Sequence, residues 1–187
     1  MVKKEIRVIG IDDSPFDKFH DKEVLVVGVV TRGGSWIDGV LSTKVKVDGS
    51  DATKKLADMI NKCKFKPQLQ CIFLNGIAVG GFNVIDVKEL SKKTKLPVII
   101  IIRRMPNIKN IKKTLIKINK KDKIKLIEKA GNVVQIDDIF VQLTGIDLDE
   151  AEKILKIVCT RSLIPEPLRL AHIIASGVVV GQSKGRA

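Results

Sequence analysis

The run Val98-Ile-Ile-Ile-Ile102 constrains the fold more than any other stretch of this chain. Successive side chains of a strand point to opposite faces, so a strand with one wet face alternates apolar and polar residues. This run has no alternation, and the strand predicted at 98–102 is therefore covered on both faces, as parallel strands in α/β proteins are. At five residues it falls far short of the roughly 20 needed to cross a membrane, and Arg103-Arg104 ends it at once. Parallel neighbours cannot be joined by a tight turn, so helices must connect them.

The rest of the pattern supplies those helices. Residues 5–11, 24–31 and 37–47 read as three strands separated by Pro15 and by Gly33-Gly34, and their short connections predict an antiparallel meander. Helical spacing begins at 51–63, with Leu56, Met59 or Ile60, and Cys63 on one face. A short strand at 71–74 ends in Asn75-Gly76, and a helix at 86–95 is closed by Leu96-Pro97. In 107–130 the apolar positions 108, 111, 115 and 118 keep helical spacing, which puts the lysines at 109, 112, 113, 117, 120, 121, 123, 125 and 129 on an outer face. Val133-Val134 and 140–143 predict one or two short strands, and Asp147-Leu-Asp-Glu150 reads as a helix cap ahead of Ile154, Leu155, Val158 and Cys159. Three strands, a helix, then alternating strands and helices predict an α/β domain with a mixed sheet. That order is the ribonuclease H-like order, although other mixed α/β folds begin the same way.

With 187 residues, 44% of them hydrophobic, the chain has material for one domain, 1–187, with a substantial core. The opening MVKKEIRVIGIDDSP lacks the apolar run of a signal peptide, so the expected location is the cytoplasm, with no membrane partner. Cys63, Cys71 and Cys159 are odd in number and lack a CxxC spacing; they read as small core residues rather than disulfide partners or zinc ligands. Lys and Arg number 34 against 21 Asp and Glu, a formal net charge of +13. A field of that sign favours a polyanionic partner, nucleic acid above all, while a lysine-rich surface also serves solubility alone. Within the basic segment, Lys109, Lys112 and Lys113 are the candidate nucleic-acid contacts.

The stretch Ile164-Pro-Glu-Pro-Leu-Arg-Leu-Ala-His-Ile-Ile-Ala-Ser-Gly177 combines a helical apolar pattern with Glu166, Arg169 and His172 at three-residue steps. Its Pro165-Glu-Pro-Leu-Arg-Leu-Ala-His172 portion resembles the carboxy-terminal motif of the endonuclease V family, in which a PEPxRxA segment precedes a metal-site histidine or aspartate. Three more patches resemble that family: Gly10-Ile-Asp12, Ser35-Trp-Ile-Asp-Gly-Val-Leu-Ser-Thr-Lys-Val45 and Leu74-Asn-Gly76. The whole chain is also similar to a group of archaeal proteins related to endonuclease V, with which it shares Gly81-Phe-Asn-Val84 and the closing Gly-Arg-Ala.

The resemblance implies that Asp12 at the end of the first strand, Asn75 at the end of the fourth and His172 meet as ligands of a divalent ion, magnesium or manganese, with Asp12 and His172 catalytic. It places Trp36 where the family has its strand-separating tyrosine, so Trp36 and Gly76 join the lysines as nucleic-acid contacts. Two positions depart from the family pattern: Asn75 stands for an aspartate and Val45 for a glutamate. Magnesium-assisted phosphodiester hydrolysis needs oxygens at about 2.1 Å that also offset the ion's charge, normally two or more carboxylates. Asparagine offers oxygen without charge, and valine offers neither. Asp13, Asp38 and Asp48 are the candidate substitute acids.

Structural roles are open beside the functional ones. Asp12 and Asp13 can be turn residues before Ser14-Pro15, His172 a core histidine, Trp36 a cap on the core, and Glu166 with Arg169 a pair along one helix. The expected function is nucleic-acid binding on an endonuclease V-like scaffold whose metal-nuclease centre is degraded. The alternatives are an active metal-dependent endonuclease with rearranged ligands, and a non-enzymatic protein-interaction or regulatory domain.

Overall fold

A computed structural model describes residues 2–183, and the Gly-Arg-Ala ending lies outside them. Arg7–Asp13 (β1), Glu23–Arg32 (β2) and Trp36–Lys46 (β3) form the expected meander. Ala52–Lys62 (α1) leads to Cys71–Asn75 (β4), which pairs parallel to β1. After the small hairpin of Ala78–Val79 (β5) and Asn83–Val84 (β6), Val87–Thr94 (α2) returns the chain to Val98–Ile102 (β7), parallel to β4.

Ile108–Lys117 (α3) and Asp122–Lys129 (α4) precede a second hairpin, Val134–Ile136 (β8) and Ile139–Thr144 (β9). Leu148–Val158 (α5) and Glu166–Val180 (α6) follow. The main sheet of the described residues runs β3-β2-β1-β4-β7-β9-β8, with β9 antiparallel to β7. This is the mixed sheet that the strand order predicts.

The unbroken apolar run in β7 has the cause inferred from sequence. Val98 and Ile100 enter the cluster with Leu56, Ile60 and Leu90 of α1 and α2, while Ile99 and Ile101 enter the one with Ile154, Leu155 and Leu168 of α5 and α6. Each fully buried side chain of this kind stabilises by about 1.5–3 kcal/mol relative to exposure. The cap at Asp147 also forms, its carboxylate accepting from Glu150 N at 2.8 Å. Cys71 is buried, Cys63 and Cys159 are half-buried, and all three are free thiols. No described helix is long and apolar enough to cross a membrane.

The basic segment keeps its helical spacing in α3, and a left-handed φ of 57° at Asn119 separates α3 from α4. It differs from its prediction in that not all of its lysines face water. Lys123 is only 3% exposed, and its Nζ donates to the carbonyls of Asp48 at 3.0 Å, Phe82 at 2.6 Å and Gly49. These carbonyls belong to a turn after β3 and to the β5–β6 hairpin, which outer-face spacing could not reveal. The ammonium group supplies the donors that buried carbonyls require.

Candidate active site at the strand ends

Asp12 is the penultimate residue of β1 and is 3% exposed. A buried carboxylate needs donors, and three N–H groups reach it. Asp13 N donates to Oδ1 at 3.0 Å, Asn75 Nδ2 donates to Oδ2 at 3.1 Å, and His172 Nδ1 lies 2.9 Å from the same Oδ2. An ionised carboxylate only accepts, so Nδ1 of the imidazole carries the proton toward Asp12.

Each partner arrives for a local reason. The parallel register pairs Ile11 with Leu74, so the following residues, Asp12 and Asn75, meet across the ends of β1 and β4. Gly10 lets α6 approach: a Cβ there would fall 2.7 Å from Leu168 Cα and closer still to the Pro167–Leu168 peptide. From that contact, two strand residues advance about 6.6 Å and four helical residues about 6 Å. Asp12 and His172 therefore come level. Farther along α6, the small side chains of Ala171 and Ala175 pack with Val27 and Val29 of β2. Glu166 and Arg169 take the structural role, paired through Arg169 Nε to Oε2 at 2.9 Å and Arg169 Nη2 to Oε1 at 2.5 Å.

Asp13 points to the other side of the strand end, where its Oδ2 accepts from Gly80 N at 2.7 Å. Burial pushes its carboxyl up to about 6, the Asp12 charge adds to the rise, and the Gly80 hydrogen bond opposes it. Asp48 stands one step away. Its amide donates to Gly80 O at 2.8 Å and its Oδ1 accepts from Phe82 N at 2.7 Å. A connected line of hydrogen bonds thus runs from Asp13 through the Gly80 turn and Asp48 to Lys123.

The structure does not bring the other sequence-predicted residues here. Asp38 sits at the opposite end of β1, where Arg7 Nε donates to its Oδ2 at 2.5 Å and Arg32 Nε to its Oδ1 at 3.1 Å. Trp36 lies at that far end too, paired with Arg32. Lys109 and Lys113 are exposed on α3, and Lys112 pairs with Glu128 at 2.6 Å. Gly76 does adjoin the site: its φ is +79°, and a Cβ there would meet nothing within 4 Å.

Sequence reasoning passed over Arg103 and Arg104. They follow β7, whose Ile101 pairs with Asn75 and accepts from Gly76 N, so they emerge at the same edge as Asp12. Both are exposed, and neither has an ion-pair partner among the described residues. Two arginines directly after a doubly covered strand were the available signal.

The donor set, as arranged, does not fit a resident magnesium or manganese ion. Asn75 directs an N–H group at Asp12 rather than its oxygen at a shared point, and Asp12 Oδ2 is already engaged by both Asn75 Nδ2 and His172 Nδ1. Val45, where the resemblance implies a glutamate, is fully buried in the apolar cluster with Val24 and Val79. Among the described residues no three His, Cys, Asp or Glu side chains gather to hold a metal.

The mixed sheet, with Asp12 near the end of its first strand and His172 brought to it by the last helix, has an endonuclease V-like fold. The chain belongs to the endonuclease dU family, whose model matches residues 4–179. It is 47% identical over 191 residues to a UPF0215 protein of Methanothermobacter thermautotrophicus, covering 100% of this chain and 94% of the relative. A crystal structure of a protein of unknown function from Archaeoglobus fulgidus superposes with a TM-score of 0.87 at 40% identity, over 92% of this chain and 98% of that one. Ciona intestinalis endonuclease V, in complex with a 24mer DNA containing an inosine followed by a ribo-adenosine, shares the fold with a TM-score of 0.54 at 21% identity, over 88% and 82% of the two chains.

Proposed function

We propose that this chain is an endonuclease that cleaves DNA at deoxyuridine, as the name of its family describes, with Asp12 and His172 as the reacting pair. The observation that carries the reading is the 2.9 Å approach of His172 Nδ1 to Asp12 Oδ2, beside the open space at Gly76. Hydrolysis of a phosphodiester takes one proton from water and gives one to the leaving oxygen, and an aspartate–imidazole pair can hold and move such a proton. Arg103 and Arg104 stand at the edge where a backbone phosphate would be drawn in, and the net charge of +13 favours the encounter.

The test is cleavage of matched oligonucleotides with and without a single deoxyuridine, in magnesium, in manganese and in chelator. Asp12→Asn and His172→Ala are each expected to lower the cleavage rate by about 10²-fold or more. Cleavage unaffected by both substitutions would remove the assignment of the site.

A second reading, binding without cleavage, is favoured by Asn75 and Val45 where the resemblance implies acids. It predicts salt-sensitive binding to DNA with no product under any of the three conditions.

A further inference from the structure

At the opposite end of β1 from Asp12 lies an open cavity of about 670 Å³, walled by Lys4, Glu5, Arg32, Trp36 and Lys156. That volume lies within the roughly 300–1,000 Å³ of small-molecule sites. Its frame is fixed from below. The buried Asp38 carboxylate holds Arg32 through Nε at 3.1 Å and Arg7 through Nε at 2.5 Å. Arg32 is thereby set with its guanidinium carbon 5.6 Å from the centroid of the Trp36 ring. The adjoining turn is equally constrained, since Thr160 Oγ1 donates to Gly34 O at 3.0 Å and a Cβ on Gly34 would fall 2.8 Å from Val158 O.

The chemistry of the walls is specific. Trp36 is 63% exposed, a large aromatic left facing water beside a cation. Lys4 and Lys156 come from two other segments of the chain, and neither has an ion-pair partner among the described residues. With Arg32 they make three cations against the single carboxylate of Glu5. A flat aromatic surface next to a fixed guanidinium and two exposed lysines matches a ligand that is planar and apolar at one end and anionic at the other.

We infer that this cavity binds one nucleotide unit, its base stacked on Trp36 and its phosphate held among Arg32, Lys4 and Lys156. The five strand steps from Arg7 to Asp12 span about 17 Å. The cavity is thus separate from the Asp12 site, and the inference stands whether or not Asp12 cleaves anything. A free nucleotide and a nucleotide within a strand present the same chemistry.

The chain has one tryptophan and no tyrosine, so its intrinsic fluorescence reports on this cavity alone. The experiment titrates the Asp12→Asn protein at low salt with deoxyadenosine monophosphate in one arm and a ten-nucleotide single strand in the other. Saturable quenching of Trp36 is expected. Quenching by both ligands at similar concentration identifies a free-nucleotide site, and quenching by the strand alone identifies a strand contact. The double variant Lys4→Ala/Lys156→Ala, which keeps the fluorophore, is expected to weaken binding at least fivefold. Absence of saturable quenching in both arms, or unchanged affinity in the double variant, overturns the inference.

Discussion

Gly10 of β1 lies directly beneath the backbone of Leu168 in α6, closer than any side chain at position 10 would allow. This contact sets the register in which Asp12 and His172 meet, because two strand steps match four helical steps from that point. The spacing Gly-x-Asp in the strand and Leu-x-x-x-His in the helix are two halves of one arrangement.

Gly10→Ala should therefore be strongly destabilising. The methyl group would meet backbone atoms, which cannot rotate away, and overpacking of this kind costs about 1–3 kcal/mol. At the upper end that is a fall in Tm of about 6–12 °C for a chain of this size. Gly177→Ala is the control of opposite sign: it lies within the same helix, its Cβ would meet nothing within 4 Å, and a gain of about 0.5–1 kcal/mol is expected. Calorimetric melting of both variants checks the pair, and a tolerated Gly10→Ala would refute the close contact.

Asp13 should make stability depend on pH in a defined direction. Its folded-state carboxyl is raised from 3.8 to about 6, so the folded chain holds this proton more tightly than the unfolded one. Stability from this group is full below about pH 4, falls as pH rises through 6, and stays lower above; the difference is about 2–3 kcal/mol. Asp13→Asn keeps an oxygen for Gly80 N but carries no charge. The variant is expected to be more stable than the parent at pH 8 by about 2 kcal/mol, with the gap closing near pH 4. Urea unfolding at pH 4, 6 and 8 measures this, and a gap independent of pH would contradict the raised carboxyl.

The parts legible in the sequence were those with a short-range physical cause. Val98–Ile102 announced a doubly covered strand because burial on both faces removes alternation. Asp12, Asn75 and His172 could be paired only through the family resemblance, since 160 residues separate the two that share a hydrogen bond and no local pattern links them. Lys123 was misplaced for a related reason. Helical spacing tells which residues share a face, but a long flexible side chain can reach carbonyls contributed by Asp48, Gly49 and Phe82. Asp38 could not be separated from Asp13 and Asp48 as a candidate acid until the β2–β3 register placed it beside Arg7 and Arg32.

Lys123→Met tests whether that buried ammonium ties the α3–α4 pair to the strand ends. Methionine fills similar space without donors, leaving the Gly49 and Phe82 carbonyls short of partners, at about 1–3 kcal/mol for each group left unsatisfied. A loss of about 3 kcal/mol is expected overall. Faster amide exchange at Phe82 and Gly80 should accompany it, since both amides belong to the hairpin held by Lys123 and Asp48. Destabilisation with unchanged exchange there would show that the hairpin is held by its apolar contacts alone.

Asn75→Asp probes the relation between Asp12 and its neighbour most directly. Asn75 Nδ2 now donates to Asp12 Oδ2 at 3.1 Å, and replacing the amide by a second carboxylate turns an attraction into a repulsion between two partly buried charges. One of the two must then hold a proton or a cation must enter. In chelator the variant is expected to lose about 2–4 kcal/mol at pH 8 and less at pH 5, where a shared proton relieves the repulsion. Manganese should restore much of that stability by binding only the folded form, so Tm should climb with metal concentration in the variant more steeply than in the parent. Thermal melts of both proteins across a manganese series decide the matter. An equal response of the two would mean that position 75 does not govern cation binding beside Asp12, and that the acid missing at Val45 is the one that matters.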